Sequence, residues 1–275
     1  MQEKRLADLH VHTNFSDSNF SPLEAVQQAK KLGLCAIAIT DHDTVKGIAQ
    51  AVKAGKAYNI EVIPGIELTC ERNGCEIHML GYFIDYKKRW FRNKLEEICS
   101  QRIERSKEIL EKLKQHGVGI KIEDVLKLSH GGSTGRLHIA QAMVKKGVVR
   151  SLKDAFRKYI GDKAPCYVSK FKVTPKEAIE MITKLGGVPV IAHPHILGED
   201  KLIPEFIEYG LRGIEAYHSD HPDHIAKFYA NLAKKHNLFI TGGSDCHGSG
   251  KGHILMGKVK LPYELVEKLK KAKPQ

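Results

Sequence analysis

The strongest constraint on the fold is a repeated alternation of short apolar runs with amphipathic segments. The apolar runs have the length of strands, and the segments between them carry apolar residues every three to four positions, as a helix does. The runs that we expect to form strands are residues 6–11, 34–40, 60–68, 187–192, 212–217, 238–241 and 254–260. Such alternation predicts parallel strands covered by helices. Because there are six or seven units and no dinucleotide-binding glycine motif after the first run, a barrel is favoured over an open sheet.

One internal stretch departs from this alternation. Residues 70–83 predict a hairpin around Arg72-Asn73-Gly74, since Asn-Gly is a strong signal for a tight turn between strands. Apolar spacing then predicts a long helix that ends near Gly117, followed by shorter helices at about 122–129, 135–147 and 151–160. We expect no further strand before about residue 165.

Composition assigns the chain to the ordinary globular proteins. Its 275 residues are 42% hydrophobic and 28% charged, which is typical of a soluble domain and allows one large domain or two smaller ones. No apolar stretch approaches the ~20 residues that cross a bilayer, and the first residues lack the apolar core of a secretion signal. The six cysteines form no CxxC pair. We therefore expect a cytoplasmic protein with reduced thiols and no membrane contact.

The positive charge is concentrated in one internal block. The chain carries a net charge of +12, and residues 86–173 contain 22 basic and 9 acidic residues, a balance of +13. This block is either a solvated basic helical face or a surface that attracts an anionic substrate. Charge alone does not separate these two interpretations.

Side chains of the types that bind metal ions lie at the carboxyl ends of the predicted strands or just beyond them. They are His10, His12, Asp17, Asp41, His42, Glu67, His78, His193, Glu215, His218, Asp245 and His247. In a parallel barrel these ends meet on one face, and the two imidazoles of His10-x-His12 point to the same side of a strand. Buried imidazoles and carboxylates without cations would be costly. The donor types predict bound divalent cations, with Mn²⁺, Zn²⁺ or Fe²⁺ suited to them and Mg²⁺ as a further possibility.

In this order, these residues resemble the PHP (polymerase and histidinol phosphatase) family. The matching segments are Asp8-Leu9-His10-Val11-His12-Thr13, Ser16-Asp17, Thr40-Asp41-His42, Pro64-Gly65-Ile66-Glu67, His78-Met79-Leu80-Gly81-Tyr82, Ala192-His193-Pro194 and Gly243-Ser244-Asp245-Cys246-His247. The resemblance spans residues 5–250 and implies a distorted (β/α)7 TIM-like barrel that holds up to three ions.

The resemblance also assigns ligands to each of the three ions, and the first two sets share Glu67. The implied sets are His10, His12, Glu67 and Asp245 for the first ion, Glu67, His78 and His193 for the second, and Asp17, His42 and His247 for the third. Mn²⁺ is the expected metal.

Within the family, the chain is similar to the nucleotide-processing phosphoesterases. The carrying features are the basic helical insertion at 86–173 and Gly135-Arg136-Leu137-His138, where Leu137 replaces the usual proline. The implied division is a barrel in two parts, 1–85 and 174–275, with 86–173 as a substrate-binding insertion. The implied activity is removal of the 3′-phosphate from nucleoside 3′,5′-bisphosphates, or trimming of 5′-phosphorylated short RNA. Arg102, Arg105, Arg136 and His138 are the implied substrate-binding residues, although Arg102 and Arg105 also fit an exposed helix face and His138 a helix cap.

The implied chemistry is hydrolysis by a hydroxide that several metal ions activate, since a bound metal can lower the pKa of water to about 7. Asp17 and His218 are the expected catalytic residues, with His218 or a metal-bound water protonating the leaving oxygen. We expect Asp8, Asp41, Asp43 and Glu215 either to orient ligating imidazoles or, for Asp41 and Asp43, to cap the helix that begins near Thr44.

Two other functions remain open at this point. One is a histidinol phosphate phosphatase, although the basic insertion argues against this function. The other is a non-catalytic nucleic-acid-binding module, which would be expected to have lost ligands, yet every ligand position is filled. The expected partner is a phosphorylated nucleotide or short RNA, and no obligate protein partner is evident from the sequence.

Overall fold

The computed structural model describes residues 5–129, 131–169, 173–250 and 252–272. The first four residues, where no secretion signal is predicted, lie outside these ranges. Eight strands are formed: β1 (Leu6–Val11), β2 (Ala36–Ile39), β3 (Glu61–Arg72), β4 (Cys75–Tyr82), β5 (Val188–Ile191), β6 (Gly213–His218), β7 (Phe239–Gly243) and β8 (Leu261–Pro262). In the described part of the chain, no helix is long and apolar enough to cross a membrane.

Helices follow most strands. They are α1 (Pro22–Lys31), α2 (Ile48–Tyr58), α3 (Arg89–Gln115), α4 (Ile122–Leu128), α5 (Arg136–Lys145), α6 (Leu152–Ala155), α7 (Pro175–Lys184), α8 (Pro194–Leu197), α9 (Ile203–Glu208), α10 (Asp223–Lys235) and α11 (Tyr263–Lys271). A π-helical turn at Phe156–Ile160 continues α6, and a 3₁₀ turn at Asp200–Leu202 precedes α9. Ser21 and Thr174 cap α1 and α7 through capping boxes, which satisfy amide groups that the first turn leaves open.

The strands form one mixed sheet in the order β7-β6-β5-β4-β3-β2-β1-β8. Strands β1, β2 and β3 are parallel, as are β5, β6 and β7, while β4 runs antiparallel to both of its neighbours. The end of β1 also pairs with the chain that follows β7: the His12 amide donates to the Cys246 carbonyl, and the Cys246 amide donates to the His10 carbonyl. The sheet is therefore a nearly closed barrel, which confirms the predicted α/β barrel class.

Two details of the strand prediction were wrong. Residues 254–260 form no strand, and the short β8 begins at Leu261 instead. Strand β3 does not end at Glu67 but continues to Arg72, because it pairs with β4 along a hairpin of eight paired positions. Glu67 and His78 therefore both lie inside strands, on a hairpin that extends beyond the barrel.

The long helix α3 joins two hydrophobic clusters. Its first half contributes Phe91, Leu95 and Ile98 to the cluster around the barrel. Its second half contributes Ile109 and Leu113 to a separate cluster within residues 109–168. At 27 residues, the helix spans about 40 Å. The positions between its two apolar ends, including Arg102 and Arg105, lie beside the barrel mouth.

Candidate active site

The barrel topology brings together the side chains that follow its strands. His10 and His12 come from the end of β1, Glu67 from β3, and Asp245 from the segment after β7. One ligand atom from each of these four residues lies within 4.8 Å of the others, and all four side chains are buried. The spacing is short enough for a single cation to contact all four residues.

Glu67 lies at the centre of the site because each of its carboxylate oxygens faces a different group of imidazoles. The contacts of Oε1 are His78 Nδ1 at 2.8 Å and His193 Nε2 at 3.1 Å. Those of Oε2 are His10 Nε2 at 3.1 Å, His12 Nε2 at 3.2 Å and His42 Nδ1 at 3.2 Å. A carboxylate with this division of contacts can bridge two cations.

Two further groups adjoin the first. His12, Asp17, His42 and His247 form one of them, with His247 Nε2 at 3.1 Å from Asp17 Oδ1 and His42 Nε2 at 3.7 Å from Asp17 Oδ2. The other consists of His42, Glu67 and His78. All nine residues that the sequence nominates as metal ligands are thus adjacent in space.

Glu215 and His218 lie beside His10 at the end of β6 and form another such group with it. Glu215 Oε1 is 2.9 Å from His10 Nδ1, and its Oε2 accepts from the His193 amide at 2.8 Å. The Asp220 amide donates to His218 Nδ1 at 3.1 Å. This contact places the proton of a neutral His218 ring on Nε2, which lies 3.7 Å from Asp245 Oδ2.

Two other buried acids, Asp8 and Asp41, accept hydrogen bonds from backbone amides and from hydroxyl groups. Asp8 accepts from the Ser244 amide and hydroxyl, and Asp41 accepts from the Thr13 amide and hydroxyl. Of the four acids expected to orient imidazoles, Glu215 is the one that hydrogen-bonds a histidine ring. The helix-cap alternative for Asp41 and Asp43 is wrong, since α2 begins four residues later than expected and is preceded by Gly47.

Neighbouring opposite charges shift the pKa values of the side chains at the centre of the site. Burial raises the pKa of Glu67, but the imidazoles of His42, His10 and His78 outweigh it and hold the pKa well below its usual range. Burial lowers the pKa of His78, while the carboxylates of Glu67 and Glu76 raise it, with a net increase to about 10. The carboxylate of Glu67 is therefore ionised at neutral pH and available as a ligand.

The donor set fits divalent cations. His12 Nε2, His42 Nδ1 and Asp17 Oδ1 are buried and make no hydrogen bond of acceptable geometry within the described residues, although charged oxygens or imidazoles lie within 3.7 Å of each. Unpaired buried polar atoms are costly. Mixed imidazole and carboxylate ligands around them match the preferences of Mn²⁺, Zn²⁺ and Fe²⁺.

A cavity of about 490 Å³ opens from this cluster. Imidazoles and carboxylates of the cluster form part of its lining. The rest of the lining includes Arg102, Arg105 and Arg136 together with Leu137, Leu152, Lys153, Phe156 and Ile196. The cavity lining therefore combines side chains that can bind metal ions with cationic and apolar side chains.

Arg102 is bound on three sides. It donates to Asp43 Oδ2 at 2.6 Å, to the Thr134 carbonyl at 3.1 Å and to the Thr69 hydroxyl. Its side chain is 7% exposed. The exposed-face alternative for Arg102 and Arg105 is wrong, because both side chains are buried at the cavity wall.

Arg105 and Arg136 meet at Glu76, a residue that the sequence interpretation missed. Glu76 Oε2 accepts from Arg105 Nη1 at 2.9 Å, and Glu76 Oε1 lies 3.1 Å from both Arg136 Nη2 and His78 Nε2. The available sequence signal was the Glu76-x-His78 spacing, which puts both side chains on one face of a strand.

His138 lies at the start of α5, where its Nδ1 accepts from the Gly135 amide at 3.1 Å. The ring is buried. The contact satisfies the amide of the residue that precedes α5, so the cap interpretation accounts for the geometry that the structure shows.

Comparison with known proteins agrees with this site. The PHP domain family matches residues 8–164. A 3′,5′-nucleoside bisphosphate phosphatase of Chromobacterium violaceum is 31% identical, over 89% of this chain and 88% of its own length. The 5′-3′ exoribonuclease Rnm of Escherichia coli is also 31% identical, over 87% of this chain and 84% of its own length.

A solved structure extends the likeness to three dimensions. A protein assigned as a metal-dependent phosphoesterase, from Bifidobacterium adolescentis, superimposes with a TM-score of 0.89 at 31% identity, and the match covers 98% of this chain and 96% of that one. The fold and the sequence thus both match a known protein over nearly the whole chain. The chain belongs to the PHP domain family and is a metal-dependent phosphoesterase, a hydrolase of phosphate esters.

Proposed function

We propose that this enzyme removes the 3′-phosphate from nucleoside 3′,5′-bisphosphates and acts on 5′-phosphorylated short RNA at the same site. The observation that carries the proposal is the pairing, across one cavity, of a buried imidazole–carboxylate cluster with two guanidinium groups. A substrate that spans the cavity needs one phosphate at each end. The proposal is supported by relatives that are named as a 3′,5′-nucleoside bisphosphate phosphatase and as a 5′-3′ exoribonuclease.

The proposed ligand sets are those that the family resemblance implies, supported by the short distances from Glu67 to His78 and His193 and from Asp17 to His247. His10, His12, Glu67 and Asp245 would hold the first ion, Glu67, His78 and His193 the second, and Asp17, His42 and His247 the third, with Mn²⁺ as the proposed metal. When bound, divalent ions here supply Lewis acidity to a water molecule and to the phosphoryl oxygens. Asp17 is proposed as a catalytic residue because it lines the cavity and contacts two of these imidazoles.

His218 is proposed to supply the proton to the leaving oxygen. Its Nδ1 accepts a backbone amide, so a neutral ring keeps its proton on Nε2. That nitrogen faces Asp245, which lines the cavity. A proton held at this atom is one that a leaving alkoxide can take up.

The segment 86–173 is proposed as the substrate-binding part of the enzyme. Arg105 and Arg136 offer planar guanidinium groups, which bind phosphate with two parallel hydrogen bonds. Arg102 supports this wall through Asp43 and Thr134, and His138 supports it by capping α5, the helix that carries Arg136. Phe156 from this segment and Ile196 from the barrel offer an apolar surface for the nucleobase.

The proposed site of action is the cytoplasm. All six cysteines are free thiols, which is typical of proteins in a reducing compartment.

Removal of metal is expected to abolish the activity and lower the stability. After treatment with a chelator, phosphate release from a nucleoside 3′,5′-bisphosphate should fall to background and return on addition of Mn²⁺. The melting temperature should fall as well, since a ligand at 100 times its Kd stabilises by about 2.7 kcal/mol. Full turnover by protein in which elemental analysis detects no metal would contradict the proposal.

Histidinol phosphate serves as the comparison substrate, and we expect it to be cleaved more slowly than the bisphosphate.

Replacement of Arg136 by alanine is expected to act selectively on bisphosphates. Loss of hydrogen bonds to a charged phosphate costs roughly 1.5–3 kcal/mol, so kcat/KM for the bisphosphate should fall about 10- to 100-fold. An aryl phosphate, which has no second phosphate, should lose much less. The matched control is Arg157→Ala, because Arg157 lies nearby but its side chain is exposed and pairs with Asp154. Equal losses on both substrates would exclude a role in binding the second phosphate.

A further inference from the structure

Glu76 is a buried carboxylate that the proposed chemistry does not use. It lies on β4, two residues before His78, and its side chain is 12% exposed. No residue role described above requires an acid at this position. An acid on the wall of a cavity that receives phosphates is unfavourable for the substrate unless it performs another task.

Its contacts reach both halves of the site. Oε1 lies 3.1 Å from His78 Nε2 and 3.1 Å from Arg136 Nη2, and Oε2 accepts from Arg105 Nη1 at 2.9 Å. The three partners come from a barrel strand, from α5 and from α3. Within the described residues, Glu76 is the side chain that contacts both a proposed metal ligand and the two guanidinium groups.

The contact to His78 orients a ring that faces the metal cluster. His78 Nδ1 lies 2.8 Å from Glu67 Oε1, so a carboxylate lies at each ring nitrogen. A histidine that binds metal through one nitrogen generally donates its other N–H to an acceptor, which fixes both the tautomer and the ring orientation. Glu76 is that acceptor for His78.

The contacts to the arginines hold two like charges together. Arg105 also donates to the Val168 carbonyl at 2.8 Å, and Arg136 donates to Asp162 at 2.5 Å. The ring of Tyr167 lies 5.5 Å and 5.2 Å from the two guanidinium carbons. One carboxylate between two guanidinium groups fixes the positions of both.

We propose that Glu76 is a positioning residue that couples the metal cluster to the phosphate-binding arginines, by orienting His78 at one end and aligning Arg105 and Arg136 at the other. This inference rests on the proposed function at both ends: on His78 as a metal ligand and on the two arginines as phosphate-binding residues. The two effects can be measured separately.

The test compares Glu76→Gln with Asp162→Asn in otherwise complete protein. Asp162 contacts Arg136 but is not among the contacts of His78, so it is a matched control. Calorimetric titration of the metal-free proteins with Mn²⁺ should show affinity about 10- to 100-fold lower for Glu76→Gln, as is usual when the acceptor behind a ligating histidine is lost. Asp162→Asn should bind Mn²⁺ as the unmodified protein does.

The second readout is substrate preference. For Glu76→Gln, kcat/KM should fall more for a nucleoside 3′,5′-bisphosphate than for an aryl phosphate at saturating Mn²⁺, because the arginines lose their common anchor. Glu76→Asp keeps the charge but not the reach, and we expect it to remain folded with losses of the same kind. Unchanged Mn²⁺ affinity in both Glu76 variants would overturn the coupling, and so would equal losses on the two substrates. If the bisphosphate is not cleaved even by the unmodified protein, the proposed substrate is wrong, while the Mn²⁺ titration still decides the role at His78.

Discussion

Phosphate release by Glu67→Gln is expected to fall by at least about a thousandfold, which corresponds to roughly 4 kcal/mol of transition-state stabilisation. The two oxygens of the Glu67 carboxylate face separate groups of imidazoles, five rings in all. A glutamine of the same shape presents an amide N–H₂ to one of these groups and carries no charge. It can therefore not bridge two cations, and the charge that offsets the imidazoles is lost.

The control for this variant is Glu61→Gln on the same strand. Glu61 lies at the start of β3 and binds Tyr263 and Lys270, away from the cluster. Steady-state phosphate release, metal content and far-ultraviolet circular dichroism should be measured for both variants. Glu61→Gln should retain normal turnover. A folded Glu67→Gln protein with turnover close to that of the unmodified enzyme would refute the bridging role.

Gly243→Ala is expected to produce the largest loss of stability. A Cβ built at Gly243 would lie 2.3 Å from both the Cβ and the backbone nitrogen of His10. These atoms belong to β1, where the barrel closes against β7, so the backbone itself would have to move. Overpacking typically costs 1–3 kcal/mol and occasionally more, and we expect a loss of about 3 kcal/mol or failure to fold.

Urea unfolding measures this effect directly. The matched control is Gly119→Ala, where the added methyl group would meet no atom within 4 Å. Its unfolding free energy should stay within about 0.5 kcal/mol of that of the unmodified protein. A Gly243→Ala protein of normal stability would show that the two edges of the barrel are less tightly packed than the structure indicates.

The sequence predicted that these side chains would converge, because that information is local to strand ends. His10, His12, His42 and Asp245 each lie at the end of an apolar run or just after it, and parallel strands bring such ends together regardless of loop detail. Their convergence needed only the correct order of strands and helices. The spacing of His10 and His12 also gave the orientation of the two rings, since alternate residues on a strand share a face.

The sequence could not predict contacts that depend on register between distant segments. The role of Glu76 requires α3 and α5 to place Arg105 and Arg136 beside the hairpin, and no local pattern encodes that distance. The length of β3 was underestimated because its pairing with β4, not its own composition, carries it past Glu67 to Arg72. The expected strand at 254–260 was wrong for a similar reason: an apolar run forms a strand only where an edge is open to pair with it.

The ion pair between Arg102 and Asp43 has a consequence for protein engineering and for divergence among relatives. Its two residues are 59 positions apart, and both are buried. If the segment 86–173 from another enzyme were grafted onto this barrel, the Asp43 carboxylate would lose its guanidinium partner unless the grafted segment carried an equivalent arginine. Removal of one partner of a buried ion pair costs about 3–5 kcal/mol. Chimeras must therefore transfer both residues together, and a new substrate range is reached more readily by single changes along the cavity wall than by exchange of the whole helical segment.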